Sequence, residues 1–216
     1  QSGLNGPSIF PSTSLAIRLE KTFSSGMKIR AALLEHQVLV FREQTLAPEQ
    51  QIAFARRFGE LQIRISPKFL MPEHNEILIL SNRVSDGVEQ GAGAVYAGEF
   101  WHSDLTYATR PSMGFMLYAL EVAEQGGDTE WANMYMAYET LPEETRWRVD
   151  GLKAIHVRDR RRNPRTPLAE GFTREADEYY CIKVVDSVHP VVRTHPETGR
   201  KALFVSPRFT VGIDGM

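Results

Sequence analysis

At 216 residues with 42% apolar side chains, the chain suits one domain with a proper core that needs neither disulfides nor structural metal. Its 25 Lys and Arg against 27 Asp and Glu leave a net charge of −2, which excludes the basic field of a general nucleic-acid binder and the acidic tail of a solvating segment. The single cysteine, Cys181, excludes an internal disulfide and fits a reducing compartment, and no apolar run is long enough to cross a bilayer.

Residues 1–14 are polar, carry Pro and Ser and lack a charged-then-apolar signal pattern, so they read as a loose start to a cytoplasmic protein. Ile29, Ala32 and Leu33 recur at helical spacing within 27–36, and Val38-Leu39-Val40-Phe41 then switches to a buried-strand composition. Pro48 opens a second helix over 48–58 with an Ile52, Ala55, Phe58 stripe, and Gly59 stands where the helix end favours a left-handed residue. Ile77-Leu78-Ile79-Leu80 reads as a buried strand. The Gly-rich stretch after it, 85–98, lacks both the Gly-Lys-Ser/Thr ending of a phosphate loop and a dinucleotide fingerprint. Its plain reading is a flexible connection, with a lid over a neighbouring site as the functional alternative.

Residues 113–122 are long and apolar, as in a strand covered on both faces. Gln125-Gly126-Gly127-Asp128 reads as a turn, and 129–132 as the returning strand of a hairpin. Helices follow over 137–141 and 143–149, then an extended exit over 152–156. Five arginines lie within 158–165, but Asp159, Glu170, Glu175, Asp177 and Glu178 dilute their field and no aromatic residues are interleaved. The stretch reads as a solvated loop. A strand over 188–195, closed by Pro196, turns through 197–200 into the partner strand Ala202-Leu203-Phe204-Val205.

The chemistry concentrates in Phe100-Trp101-His102-Ser103-Asp104. On an extended segment His102 and Asp104 project to one side, so an imidazole nitrogen and a carboxylate oxygen can reach one metal ion. Mononuclear non-haem Fe(II) oxygenases use two histidines and one carboxylate on one face of the iron, leaving the other positions open. By itself His-x-Asp is a short, common pattern, and a satisfied, half-buried histidine is the bland reading.

The wider context carries more. The 100–120 stretch followed by Gly126-Gly127-Asp128-Thr129 resembles the TauD/TfdA family of Fe(II)/2-oxoglutarate dioxygenases, whose pattern is Trp-His-x-Asp, a hydrophobic strand, then Gly-Gly-Asp-Thr. His189-Pro190-Val191-Val192-Arg193-Thr194-His195-Pro196, Gly199-Arg200-Lys201 and Ala202-Leu203-Phe204-Val205 are similar to a second family segment, and 38–59 to its N-terminal strand and helix. The resemblance implies a mainly β protein with flanking helices, a double-stranded β-helix or jelly roll, as one domain over 1–216. It implies Fe(II), the co-substrate 2-oxoglutarate and O2 as cofactors, His102 and Asp104 as metal-binding catalytic residues, and Thr129 as a hydroxyl bonded to a 2-oxoglutarate carboxylate. The implied activity is hydroxylation of a small anionic organic substrate with release of succinate and CO2. The partner is then that small molecule, not nucleic acid or a membrane, with a homo-oligomer as the assembly.

The family's third ligand and the arginine for the far carboxylate of 2-oxoglutarate lie in a segment downstream of 202–205, so both are expected beyond Met216 and the domain is expected to be incomplete at its C-terminus. His189 and His195 are alternatives, although their proline-flanked positions favour turn or strand-edge roles; His156, His36 and His74 have weaker claims. Arg64, Lys68 and Arg158 are cations that could face an anionic substrate, and Phe209 matches a position that lines the family pocket. Two rival readings are a catalytically inactive jelly-roll binding protein without a complete metal site, and a hydrolytic Zn2+ enzyme built on the same pair.

Overall fold

A computed structural model describes residues 26–62, 69–91, 100–122, 124–126, 128–158 and 186–216. The chain divides into two compact units, Gln1–Gln51 and Ile52–Met216. In the first, α1 (Gly26–His36) buries Ile29 and is stopped by Gln37 in the left-handed region (φ 62°), whose N–H closes back on the Leu33 carbonyl at 2.8 Å. The strand expected over 38–41 does not form as a ladder: between the left-handed residues Gln37 and Glu43 (φ 57°), Val40 alone makes an isolated β-bridge.

Helix α2 (Pro48–Ala55) starts as its sequence predicts, with Pro48 first and the Gln50 side chain accepting the Ala47 N–H at 2.8 Å. It ends three residues earlier than expected, because Arg57 and Phe58 bond three residues back instead of four and tighten the last turn. Two small hairpins follow, β1 (Leu70–Met71) with β2 (His74–Leu78), and β3 (Val84–Ser85) with β4 (Val88–Glu89). The second turns through Asp86 (φ 51°) and Gly87 (φ 75°), the two consecutive left-handed residues of a two-residue hairpin loop.

Two strands expected from composition are absent. Residues 113–122 and 129–132 have no strand structure, and the side chains of Met113, Phe115, Leu117, Leu120, Val122 and Trp131 are exposed. An apolar run becomes a strand only where a neighbour completes its hydrogen-bond ladder, and composition does not supply that neighbour. Helix α3 (Met134–Glu139) is capped by Asn133, whose side-chain oxygen accepts the N–H groups of Tyr135 and Met136 at 3.1 Å each. Helix α4 (Glu143–Val149) places Glu143 and Glu144 in its first turn and Arg146 and Arg148 in its last, complementing the helix dipole.

Beyond α4, β5 (Lys153–His156) is the centre of a three-stranded antiparallel sheet, between β6 (Ser187–Pro190) and β9 (Thr210–Ile213). Strands β7 (Val192–Thr194) and β8 (Lys201–Leu203) form the hairpin expected from the sequence, and α3 packs on β8. Strand β9 was not apparent in the sequence. Among the described residues no helix is long and apolar enough to cross a membrane.

The three-stranded sheet turns an unusually polar face inward: Ala154, His156, Ser187, His189 and Thr210 are all buried, with His156 paired in register with Ser187 on one side and Thr210 on the other. His156 is fully buried, and neither of its ring nitrogens reaches a hydrogen-bond partner. Burial, reinforced by neighbouring His189, lowers its pKa from 6.5 to about 4, and a polar contact with the Phe204 backbone that falls short of bonding geometry opposes this. A histidine whose folded pKa lies below its unfolded value is proton-poor in the native state, so its contribution to stability is full above pH 6.5 and falls as the pH drops towards 4. The loss should reach about 3 kcal/mol in urea unfolding between pH 7 and pH 4. In His156→Leu this part of the pH dependence should vanish, leaving a visibly flatter stability profile.

Candidate metal and substrate site

The segment that carries His102 and Asp104 is not a strand. Residues 101–103 are irregular and 104–107 form a turn, closed by the Ala108 N–H on the Leu105 carbonyl at 2.9 Å. Leu105 sits in the left-handed region (φ 57°), uncommon for a residue with a Cβ, and reverses the chain directly after Asp104. The convergence expected of the pair survives the change of local structure: His102 Nε2 and Asp104 Oδ1 lie 3.3 Å apart, close enough for both to touch one cation.

The histidine is oriented from behind. Its Nδ1 is 2.6 Å from the Phe100 carbonyl oxygen, and a carbonyl only accepts, so Nδ1 carries the proton and Nε2 keeps its lone pair for the side on which Asp104 lies. Phe209 packs edge-on against the imidazole at 5.5 Å and against Tyr107 at 5.1 Å, forming an aromatic wall. Two arginines border that wall. The Arg158 guanidinium carbon lies 5.6 Å from the Tyr107 ring centre; that of Arg208 lies 5.1 Å from Phe209, with its Nη1 donating towards His102 Nε2 at 3.4 Å.

The loop is held to the sheet by side chains of β6. The Ser187 hydroxyl donates to the Tyr107 carbonyl at 2.8 Å, and His189 Nε2 bonds the Ala108 carbonyl at 2.9 Å. From the far side of the wall, the Val157 N–H bonds the Phe209 carbonyl at 2.9 Å, tying Phe209 to the end of β5.

Of the residues singled out in the sequence, the structure brings together His102, Asp104, Phe209 and Arg158. Thr129 is exposed, and no hydrogen bond joins it to the pair among the described residues. Arg64 and Lys68 lie outside the described residues. His189 is an anchor of the loop, and His195 is a turn residue whose Nδ1 accepts the Glu197 and Thr198 N–H groups at 3.3 Å each. No cluster of three or more His, Cys, Asp or Glu side chains able to hold a metal occurs among the described residues. Of the aromatic side chains near the motif, Trp101 and Phe115 are exposed, and Tyr107 is the one in ring contact with Phe209. Sequence reasoning missed Ser187 and Arg208. Ser187 had no local signal, and for Arg208 the one available clue was its place next to Phe209.

An imidazole nitrogen that carries its lone pair and a carboxylate oxygen on one side are two donors of the set that non-haem Fe(II) sites use, so the residues present fit that metal. The chain matches the family model "Taurine catabolism dioxygenase TauD, TfdA family" over residues 16–216 and belongs to that family. Among curated relatives it is 36% identical over 188 residues to pentalenolactone F synthase of Streptomyces arenae, covering 83% of this chain and 62% of that protein. It is likewise 36% identical over 186 residues to the alpha-ketoglutarate-dependent 2,4-dichlorophenoxyacetate dioxygenase of Cupriavidus pinatubonensis, covering 82% and 63%. Similar solved structures include a taurine dioxygenase from Burkholderia xenovorans, with 32% identity, a TM-score of 0.59 and coverage of 94% of this chain and 61% of that one. Another is AAD-2 in complex with Mn(II) and N-oxalylglycine, with 25% identity, a TM-score of 0.61 and coverage of 94% and 67%. The chain thus spans a little over three fifths of the length of these curated relatives.

Removing the anchor tests how far the pair depends on the sheet. Ser187→Ala deletes a buried side-chain bond to the loop and should cost about 1–2 kcal/mol in urea unfolding with an unchanged m value.

Proposed function

We propose that the protein is an Fe(II)- and 2-oxoglutarate-dependent dioxygenase that hydroxylates a small anionic organic molecule and releases succinate and CO2. The observation that carries this reading is the 3.3 Å convergence of His102 Nε2 and Asp104 Oδ1, with the imidazole proton held on the opposite nitrogen by the Phe100 carbonyl. In this reading His102 and Asp104 are two of the iron ligands. Bound iron would supply O2 activation coupled to the oxidative decarboxylation of 2-oxoglutarate. The chain's own residues do the rest. Asp104 lowers the net charge of the metal site, and the Phe100 carbonyl fixes the ligand tautomer. Phe209 and Tyr107 shield one side of the site from water.

Thr129 is assigned to a carboxylate of 2-oxoglutarate, and Arg64, Arg158 and Phe209 to the primary substrate. The anionic character of that substrate is supported by relatives whose names specify 2,4-dichlorophenoxyacetate and (S)-phenoxypropionate, both carboxylates, and by the arginines that border the aromatic wall. The fold that accompanies the reading is a double-stranded β-helix in which the β6-β5-β9 sheet backs the metal loop.

Anaerobic addition of Fe(II) and 2-oxoglutarate to the full-length protein should produce a weak visible charge-transfer band. His102→Ala and Asp104→Ala should each abolish it, whereas Trp147→Ala, on the exposed face of α4, should leave it unchanged. A wild-type protein without the band refutes the assignment.

A further inference from the structure

Phe209 lies in a turn between β8 and β9, yet it is buried with its ring against the imidazole of His102. What holds it there is a clasp between Ser206 and Thr210. The Ser206 N–H donates to the Thr210 hydroxyl at 3.0 Å, and the Thr210 N–H donates back to the Ser206 carbonyl at 3.1 Å. Between them, the Phe209 N–H donates to the Ser206 hydroxyl at 3.3 Å. Two short polar side chains four positions apart thus close the turn reciprocally, in the manner of a capping box, and Pro207 fixes the dihedral that opens it.

The clasp acts on the site through one ring. The Val157 N–H bonds the Phe209 carbonyl at 2.9 Å, so both polar groups of the Phe209 backbone are taken, one by Ser206 and one by the residue after β5. The Phe209 ring is thereby delivered edge-on to His102 at 5.5 Å and to Tyr107 at 5.1 Å. The Phe100 carbonyl at Nδ1 sets the tautomer of His102 but leaves the imidazole free to rock about its Cβ–Cγ bond, a torsion with broad wells. A ring packed against it removes that freedom and keeps Nε2 on the side of Asp104.

We propose that Ser206 and Thr210 are positioning residues for His102: their reciprocal hydrogen bonds lock Phe209 against the imidazole and so pre-set its orientation as a metal ligand. The purpose of that confinement rests on the dioxygenase reading, whereas the confinement itself needs no metal.

The test is hydrogen exchange at the His102 Nδ1 proton, followed by NMR in full-length protein carrying isotopically labelled histidine. The His189 Nε2 proton, bonded to the Ala108 carbonyl, is the internal control. Thr210→Val removes the hydroxyl at nearly the same shape. It should speed exchange at His102 by about fivefold, the scale of one lost capping bond, and leave His189 within about twofold of wild type. Ser206→Ala, which removes the acceptor for the Phe209 N–H, should do the same. Thr210→Ser restores the hydroxyl and should restore the wild-type rate. Phe209→Leu should match Thr210→Val, because the ring is the part that acts on His102.

A merely structural role would accelerate exchange at both histidines together. That outcome overturns the proposal, as do an unchanged His102 rate in Thr210→Val and Ser206→Ala, no recovery in Thr210→Ser, or no effect of Phe209→Leu. A full-length wild type without the Fe(II) and 2-oxoglutarate charge-transfer band overturns the dioxygenase reading, and with it the purpose of the clasp. The exchange rates then still decide whether the clasp confines His102.

Discussion

Two hydrogen bonds from β6 to the loop that follows the His-x-Asp pair hold the site together. Ser187 and His189 are alternate residues on one strand, so their side chains leave the sheet on the same face and reach successive carbonyls, those of Tyr107 and Ala108. The strand's two-residue repeat thus sets the position of a segment that has no regular structure of its own. The two contacts span about 80 positions in sequence, so His102 and Asp104 can be in place only after the C-terminal half of the chain has folded onto their loop.

That arrangement needs polar groups in the protein interior, and His156 shows the cost. Ser187 and His189 are satisfied by the loop, but His156, opposite Ser187 on the central strand, has no hydrogen-bond partner and stays neutral because a charge there would be neither solvated nor paired. His156, His189 and Phe204 instead pack as three rings with centres 5.5 to 5.6 Å apart. An apolar residue would stabilise the sheet more simply, so this histidine is a weak point in the core.

Much of this was legible in the sequence. Helices α1, α2 and α4 and the β7-β8 hairpin followed from apolar spacing, Pro48 and the 197–200 turn, all local signals. The His102 and Asp104 pair was legible for the same reason, since two positions apart is a local relation. What composition could not give was non-local. The apolar run 113–122 reads as a strand but has no strand structure, since a strand depends on a neighbour far away in the chain. Thr210–Ile213 reads as nothing in particular, yet it is a strand because β5 lies beside it. Arg208 and Ser187 belong with these, because each earns its place through a contact roughly eighty or more positions distant.

Leu105 adds a constraint of a different kind. Its left-handed backbone turns the chain back immediately after Asp104 and carries Thr106 into the interior, so the carboxylate stands at the crest of a bend. Tolerance to replacement at this position should accordingly follow backbone preference over side-chain chemistry: Gly and Asn, which accept that conformation, are compatible, and Val, Ile and Thr are not. A residue that belongs to neither side chain of the pair would then show a substitution profile as narrow as theirs, for a purely conformational reason.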